Sequence, residues 1–342
     1  MRALLIMACV AAGSCTNVAP PLANPAPFAV AGANGAKPTP SASTSASALP
    51  ATPSTPSMPT SCPALPTEIG RIQDVQLNEV SGVLESRRNP EVLFVHNDSG
   101  DSPRFFAINR GGEVLAELVL DTVPLLIDAE DIATGPAPNG GSFIYLGDTG
   151  NNFASFGYGI PRRKAVLYRL AEPEISPAAR HIKLRLRDAF PIVFTFPNGA
   201  RDVEAFVIDP QSGDLFIITK QPDGHSQLLT APPAMLAAGG GELRLIGELR
   251  FGQPPLTGST MPTSASISRD GSAILVRTYT AVFLFRRAPG ESVPSTLARA
   301  PQSLPAPREQ QGEAVGFVDQ DTAFVTISEG LKPAVNCARI AP

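Results

Sequence analysis

The chain of 342 residues has a formal net charge of -4 at pH 7 and contains no tryptophan. A mildly acidic balance provides no clustered basic surface, so nucleic acid is set aside as a partner. The absence of tryptophan argues against WD40-type repeats. Hydrophobic residues make up 43% of the chain and charged residues 17%, which is enough to build a core, while 36 prolines and 29 glycines indicate many turns.

Residues 1–15 have the features of an export signal. Arg2 supplies a positive charge, residues 3–10 are apolar, and residues 11–15 form a small-residue cleavage site that ends in Cys15. This segment resembles a lipobox, which predicts that Cys15 is lipidated and anchors the protein to a membrane. The alternative is an ordinary secretory signal that is cut nearby. We therefore expect a protein of the cell envelope, periplasmic or at the outer membrane, or a secreted one.

Residues 16–61 have the composition of a linker. They are almost uncharged, Lys37 being the exception, and consist mainly of Ala, Pro, Ser and Thr. Such a segment buries too little apolar surface to offset the entropy lost on ordering, so we predict a disordered stalk that its prolines keep extended. The globular domain is predicted to span residues 62–342.

Cysteine usage agrees with export. Cys9 and Cys15 belong to the signal, whereas Cys62 and Cys337 lie at opposite ends of the predicted domain. Thiols in an oxidising compartment tend to pair, so we predict one disulfide between Cys62 and Cys337. Two free buried thiols are the alternative.

An internal repeat follows Cys62. Each copy opens with a strand whose start is polar, at residues 79–83, 128–132, 202–206, 263–267 and 311–315. A turn and an apolar second strand come next, and each second strand ends in a polar cluster. Repeats of about fifty residues with short antiparallel strands are typical of an all-β fold, the β-propeller built from four-stranded blades.

Blade number and ring closure can also be predicted. Five copies indicate five blades, with six as the alternative because residues 148–202 have room for more strands. Fourth strands are predicted at residues 114–120, 183–187 and 243–249. The fifth copy lacks a fourth strand, which residues 68–77 are predicted to supply, so that the ring closes next to the predicted disulfide.

The polar strand starts suggest a metal site. Innermost strands begin at the same mouth of a propeller channel, so their carboxylates are expected to converge; these are Glu79, Asp128, Glu130, Asp202, Glu204 and Glu313. Crowded carboxylates raise one another's pKa or recruit a cation, and oxygen-only ligands favour a hard ion such as Ca²⁺. The alternative is that these groups accept hydrogen bonds from backbone donors at blade junctions.

Second-strand ends should reach the same mouth and suggest a ligand site. The candidate residues are His96, Asn97, Asp98, Asp148, Asn151, Lys220, Arg277, Tyr279 and Glu329. A rim that mixes carboxylates with Lys and Arg could seat a small anionic ligand. A lone histidine more often completes a hydrogen-bond network than acts as a base. The sequence lacks the Gly-x-Ser-x-Gly and Walker motifs, so no catalytic residue is assigned.

Several segments carry a family resemblance; they are residues 96–100, 128–132, 147–151, 200–205 and 311–314. They resemble exported bacterial β-propeller lipoproteins of undefined activity and, more distantly, the β-propeller phytases and phytase-like esterases. The phytase likeness implies Ca²⁺ bound by channel carboxylates and phosphate held by Lys and Arg, which matches Glu204, Lys220 and Arg277.

These observations lead to two functional hypotheses. The first is a monomeric propeller that binds a small anionic ligand or another envelope protein at its acidic channel mouth. The second is a Ca²⁺-dependent hydrolase of phosphate esters or lactones. Whether the protein is an enzyme stays open at this point, and a purely structural surface protein is a third reading.

Overall fold

The structure, a computed structural model, describes residues 61–151, 161–221, 223–252 and 258–341. The predicted signal, the lipidation of Cys15 and the linker up to residue 60 therefore lie outside the described residues. Within the described part of the chain, no helix is long and apolar enough to cross a membrane.

The described chain is built almost entirely from strands. In chain order they are β1 (Thr67–Arg71), β2 (Val80–Glu85), β3 (Val92–Asn97), β4 (Arg104–Asn109), β5 (Val114–Leu120), β6 (Ala129–Pro136), β7 (Ser142–Asp148), β8 (Lys164–Ala171), β9 (Ile182–Leu186), β10 (Phe190–Thr195), β11 (Val203–Ile208), β12 (Leu215–Thr219), β13 (Ser226–Ala231), β14 (Gly240–Glu242), β15 (Arg244–Leu249), β16 (Pro262–Ile267), β17 (Ala273–Thr278), β18 (Val282–Arg286), β19 (Gln302–Leu304), β20 (Gly312–Val318), β21 (Ala323–Ser328) and β22 (Ala334–Arg339). Two five-residue helices, α1 (Pro233–Ala237) and α2 (Val293–Leu297), and a 3₁₀ turn at Pro138–Gly140 complete the set.

These strands form five sheets, which confirms the predicted five-bladed propeller. Blade 1 has the order β2-β3-β4-β5-β9, blade 2 β6-β7-β8-β10-β14, blade 3 β11-β12-β13-β15, blade 4 β16-β17-β18-β19 and blade 5 β20-β21-β22-β1. Neighbouring strands are antiparallel except for β9 and β14, which add to the outer edges of blades 1 and 2 in parallel. Each blade thus keeps the four-stranded antiparallel unit expected of a propeller.

The first strand of each blade lines the channel. β2, β6, β11, β16 and β20 contact one another around the ring, and their residues are almost all buried. Apolar side chains pack between blades: Phe94 and Phe105 of blade 1, which meet edge to face with ring centroids 5.7 Å apart, share a buried cluster with Ile132 and Leu146 of blade 2. The core is therefore distributed over the blade interfaces, and the channel ends are left to polar residues.

Ring closure follows the prediction. β1 pairs antiparallel with β22 of blade 5, and Thr67 lies opposite Cys337. Cys62 and Cys337 form the predicted disulfide, with their Cα atoms 5.5 Å apart. The N-terminal strand is thus joined to the last blade by both backbone pairing and a covalent bond.

One strand assignment from the sequence is corrected. Residues 183–187 were expected to form the fourth strand of blade 2, but β9 pairs in parallel with β5 at the outer edge of blade 1. The fourth strand of blade 2 is β10, which pairs with β8. The extra room between residues 148 and 202 is therefore taken up by an added edge strand rather than by a sixth blade.

Candidate functional site at the acidic channel mouth

The five innermost strands share one irregularity at their starts. The pairing register with the second strand shifts by one residue in every blade, at Ser81, Glu130, Glu204, Thr263 and Glu313. A β-bulge leaves one residue outside the regular pairing and re-aims its side chain. Five equivalent bulges, three of them at glutamates, therefore surround one end of the channel, which we call the acidic mouth.

Hydroxyl groups of neighbouring blades hold two of these bulges in place. The Ser81 hydroxyl donates to the backbone carbonyl of Glu130 at 2.6 Å, and the Thr263 hydroxyl donates to that of Glu313 at 3.0 Å. Since buried carbonyls need a hydrogen-bond donor, these hydroxyls satisfy and fix the bulged backbone at Glu130 and Glu313.

A single lysine lies against the glutamates. Lys220 follows β12, and its Nζ donates to the Glu204 carboxylate and, at 2.7 Å, to the Tyr279 hydroxyl. Burial lowers the pKa of Lys220, but the adjacent carboxylate of Glu204 outweighs it, so the pKa is raised and the ammonium stays charged. One ammonium neutralises one carboxylate, so Glu130 and Glu313 require another source of neutralisation.

Glu130 is the central member of the acidic mouth. It is 2% exposed, and its Oε1 has no hydrogen-bond partner among the described residues. Carboxylate oxygens of Asp98, Asp128 and Glu130 lie within 4.8 Å of one another, and those of Glu130, Asp202 and Glu204 do so as well. Glu130 thus belongs to two oxygen clusters. This all-oxygen donor set, with an unpartnered buried carboxylate oxygen, fits a hard cation such as Ca²⁺.

The carboxyl groups of the mouth bind protons more readily than usual. Burial, reinforced by the Glu204 and Asp98 carboxylates, raises the pKa of Glu130 well above its ordinary value. Burial raises the pKa of Glu313 to about 8, and burial together with Glu79 raises the pKa of Glu329 to about 7. Without a cation, the mouth therefore retains protons near neutral pH, and a bound cation would favour their release.

Asp131, which was not singled out from the sequence, closes the channel below the mouth. Its carboxylate accepts hydrogen bonds from the backbone N–H groups of Ile132, Phe206 and Ala265 and from the Ser264 hydroxyl. It thus joins blade 2 to blades 3 and 4 and reaches across the channel. Burial raises the pKa of Asp131 to about 8, although all four donors favour the ionised form. The available sequence signal was the presence of three acidic residues within 128–131. Strict alternation of side chains along a strand, however, places Asp131 on the opposite side from Asp128 and Glu130, so its inward position was not predicted.

Four of the nine predicted ligand residues lie beside the glutamates; they are Asp98, Lys220, Tyr279 and Glu329. Gln311 links two of the acids, because its side-chain amide donates to Glu313 at 3.1 Å and to Glu329 at 2.6 Å. Of the predicted metal residues, Glu79 differs from the rest in being exposed. The structure therefore brings together five of the six predicted carboxylates and part of the predicted rim.

Three other predicted residues serve local structure. His96 is fully buried, and burial lowers its pKa to about 4, so it is neutral and its Nδ1 donates to the Asn97 carbonyl at 2.9 Å. The Asn97 side chain accepts from the Glu79 N–H at 3.3 Å. The Asn151 N–H donates to Asp202 at 2.7 Å. The contact of His96 agrees with the expectation that a lone histidine completes a hydrogen-bond network.

Two predicted residues form ion pairs. Asp148 accepts from Arg162 at 2.9 Å and from two backbone N–H groups before β6. Arg277 is buried and donates to the Glu309 carboxylate and, at 2.9 Å, to the Ala314 carbonyl. Arg277 is thus committed to protein partners, and Lys220 is the cation closest to the glutamates.

Gly150 allows the close approach that the acidic mouth requires. A Cβ atom at this position would lie 1.9 Å from Oε1 of Glu130 and 2.6 Å from a carboxylate oxygen of Asp128. The backbone after β7 therefore packs directly against both carboxylates. We infer that this glycine is needed for close packing rather than for turn geometry.

The opposite end of the channel, which we call the arginine end, contains matched charges. Glu85, at the end of β2, pairs with Arg110 at 2.9 Å and with Arg269 at 2.7 Å. Arg110 also pairs with Asp319 at 2.6 Å, and Asp319 accepts from the Cys62 N–H at 3.2 Å. Glu85 and Asp319 are therefore paired with Arg110 and Arg269 at this end, close to the disulfide.

Comparisons with known proteins assign no family to this chain. No protein-family model and no curated protein sequence matches the chain. Among solved structures, it is similar to Kuenenia stuttgartiensis hydrazine synthase, at 11% identity and a TM-score of 0.41, over 78% of this chain and 96% of that chain. The resemblance to exported propeller lipoproteins and phytases stays a prediction.

Proposed function

We propose that this protein is an extracytoplasmic β-propeller whose acidic mouth binds one hard divalent cation, of which Ca²⁺ is the best candidate. The observation that supports this most directly is Glu130, a buried carboxylate with an unpartnered oxygen that belongs to two oxygen clusters. Buried charges in proteins are normally paired or coordinate a metal. The Cys62–Cys337 disulfide is compatible with an oxidising compartment.

The bound cation would also explain how an acidic mouth could hold a small anionic ligand. Lys220 and Arg277 are engaged by Glu204 and Glu309, so neither guanidinium nor ammonium is available as the main anion contact. A divalent cation in the cluster would offset part of the local negative charge and leave coordination positions for a phosphate or carboxylate group. An envelope protein that presents such a group would bind in the same way.

Calorimetric titration tests this proposal. Protein freed of metal with EDTA is titrated with Ca²⁺, and the Ca²⁺-loaded form is then titrated with inorganic phosphate. We expect saturable Ca²⁺ binding, its loss in Glu130→Gln, and phosphate binding that requires Ca²⁺. Glu242→Gln, an exposed glutamate of β14, is the matched control and should bind Ca²⁺ normally. Absence of saturable Ca²⁺ binding by the unaltered protein would refute the proposal.

Hydrolysis of phosphate esters or lactones is the second candidate function. The pKa of Glu329, which burial together with Glu79 raises to about 7, favours this function. A carboxyl group with such a pKa, beside the carboxylate cluster proposed to hold the cation, suits proton transfer at neutral pH. Panels of phosphate esters and lactones would be assayed with Ca²⁺ and with EDTA. Turnover that depends on Ca²⁺ and falls in Glu329→Gln would support an enzyme, whereas no turnover leaves cation-dependent binding as the function.

A further inference from the structure

A groove on the arginine-end face of the propeller lies far along the strands from the acidic mouth. It encloses about 730 Å³, within the usual range for small-molecule sites. Turns and strand ends from blades 1 to 4 line it, including Arg87 after β2, Phe143 in β7 and Ile208 in β11. Every lining residue belongs to the described part of the chain.

Arg87 is the unusual residue in this groove. It is half-buried, yet within the described residues it forms no hydrogen bond or ion pair, in contrast to its arginine neighbours. Arg269 is paired with Glu85 at 2.7 Å, and Arg88 with Glu174 at 3.0 Å. Burial lowers the pKa of Arg87 despite the opposing effect of Asp321. Its guanidinium is partly desolvated and makes no direct ion pair, although the carboxylates of Asp321, Glu172 and Glu85 attract it from a longer distance, so an anionic ligand would supply the hydrogen-bond acceptors that it lacks.

The carboxylate that lines the groove is already occupied. Glu172 accepts hydrogen bonds from the hydroxyls of Ser86 and Ser142 and from the Arg88 N–H. These three donors engage both carboxylate oxygens, and Glu172 acts on Arg87 only by attraction without a direct hydrogen bond. The groove therefore presents a guanidinium without a direct ion pair beside a carboxylate that accepts from its own loops.

The remaining walls of the groove are mostly apolar, although two further arginines, a threonine and a serine also line it. Phe143 and Pro210 are partly exposed, Pro136 is exposed, and Ile208 forms part of the buried wall. A concave, mostly apolar lining with a few convergent charged groups is the usual design of a small-molecule site, and three of the four charged groups here are arginines. The lining thus fits a molecule with one anionic group and an apolar body.

We propose that this groove binds a small organic anion, a carboxylate or phosphate carried on an apolar group, through the guanidinium of Arg87. The site is separate from the acidic mouth and requires no metal. Charge complementarity selects the anionic group, since Arg presents a planar fork of donors that matches carboxylate and phosphate oxygens.

Binding of three probes tests the proposal. Phenyl phosphate and 4-phenylbutyrate present the two anionic groups on an aromatic body, and 4-phenylbutan-1-ol is the uncharged control. We expect saturable binding of at least one anion in the presence of EDTA, and much weaker binding of the alcohol. The anion that binds more tightly identifies the class of ligand. Equal binding of the alcohol and both anions, or no saturable binding of either anion, would overturn the proposal.

Variants locate the site. Arg87→Gln should weaken anion binding about ten-fold or more, because it removes a charge-assisted hydrogen-bonding group. Arg308→Gln is the matched control, an exposed arginine outside the groove, and should leave binding unchanged. Ala171→Trp, at an exposed position lining the groove, should also weaken binding by filling it, and serves if Arg87→Gln does not fold. Unchanged affinity in a folded Arg87→Gln or Ala171→Trp protein would contradict the assignment.

Discussion

The two ends of the propeller channel handle buried charge in opposite ways. At the arginine end, Arg110 and Arg269 neutralise Glu85 and Asp319 through close ion pairs. At the acidic mouth, Lys220 is the one cation among the described residues that pairs with the bulged glutamates. Uncompensated buried charge lowers the stability of the folded state. The ion pairs of the arginine end therefore stabilise the fold, whereas the carboxylates of the acidic mouth need bound protons or a cation. A local arrangement that lowers the stability of the folded state, as at the acidic mouth, is typical of a functional site.

The disulfide at the arginine end should have the largest effect on stability. Cys62→Ser combined with Cys337→Ser removes a cross-link between residues 275 positions apart. The chain-entropy model predicts a loss of about 5–6 kcal/mol in the free energy of unfolding. Chemical denaturation of the double variant and the unaltered protein measures it. A difference of less than about 1 kcal/mol would show that β1–β22 pairing closes the ring without the cross-link.

Removing one arginine should cost nearly as much. Arg110→Ala leaves the buried carboxylate of Glu85 with one partner fewer and removes the ion pair of Asp319. Breaking a buried pair in this way costs about 3–5 kcal/mol. Arg180→Ala, at an exposed position in the loop between β8 and β9, is the control and should change stability little. Denaturation midpoints that are equal for the two variants would contradict the structural role given to the arginine end.

The carboxyl groups of the acidic mouth should make the stability of the metal-free protein fall as the pH rises. Glu313 and Glu329 have folded-state pKa values of about 8 and about 7, above those of an unfolded chain. Such groups hold protons more tightly in the folded state, so their stabilising effect is present below about pH 4.5 and is lost as pH rises towards 8. Thermal unfolding of metal-free protein between pH 5 and 8 should show falling stability, and Ca²⁺ should reverse the fall. A flat profile in EDTA would mean that these carboxylates are already neutralised by the protein.

Much of the fold could be predicted because it repeats. Polar strand starts, turns and apolar second strands recur five times, and the positions of Cys62 and Cys337 indicated where the ring closes. The edge strand β9 could not be placed, since parallel addition to blade 1 depends on contacts between residues about 66 positions apart. Local sequence patterns carry no information on such pairing.

The candidate site was predicted less completely than the fold. Strand direction alone predicted that the carboxylates at the starts of the innermost strands converge. Those that the structure brings together include Asp128, Glu130, Asp202 and Glu204. The inward side chain of Asp131 depended on a β-bulge, which breaks the alternation that a sequence pattern assumes. The commitment of Arg277 to Glu309 depended on a loop from the next blade junction, so strand-end position alone suggested a ligand contact.

Crystallography with an anomalous scatterer would show whether the acidic mouth is a cation site. Crystals of the metal-free protein would be soaked in Tb³⁺, which like Ca²⁺ is a hard cation that prefers oxygen ligands. We predict one strong anomalous peak within coordination distance of Glu130, and its absence from crystals of Glu130→Gln. A mouth without a peak, in which Glu130 Oε1 is hydrogen-bonded to ordered water and peaks occur only at surface carboxylates, would contradict the account.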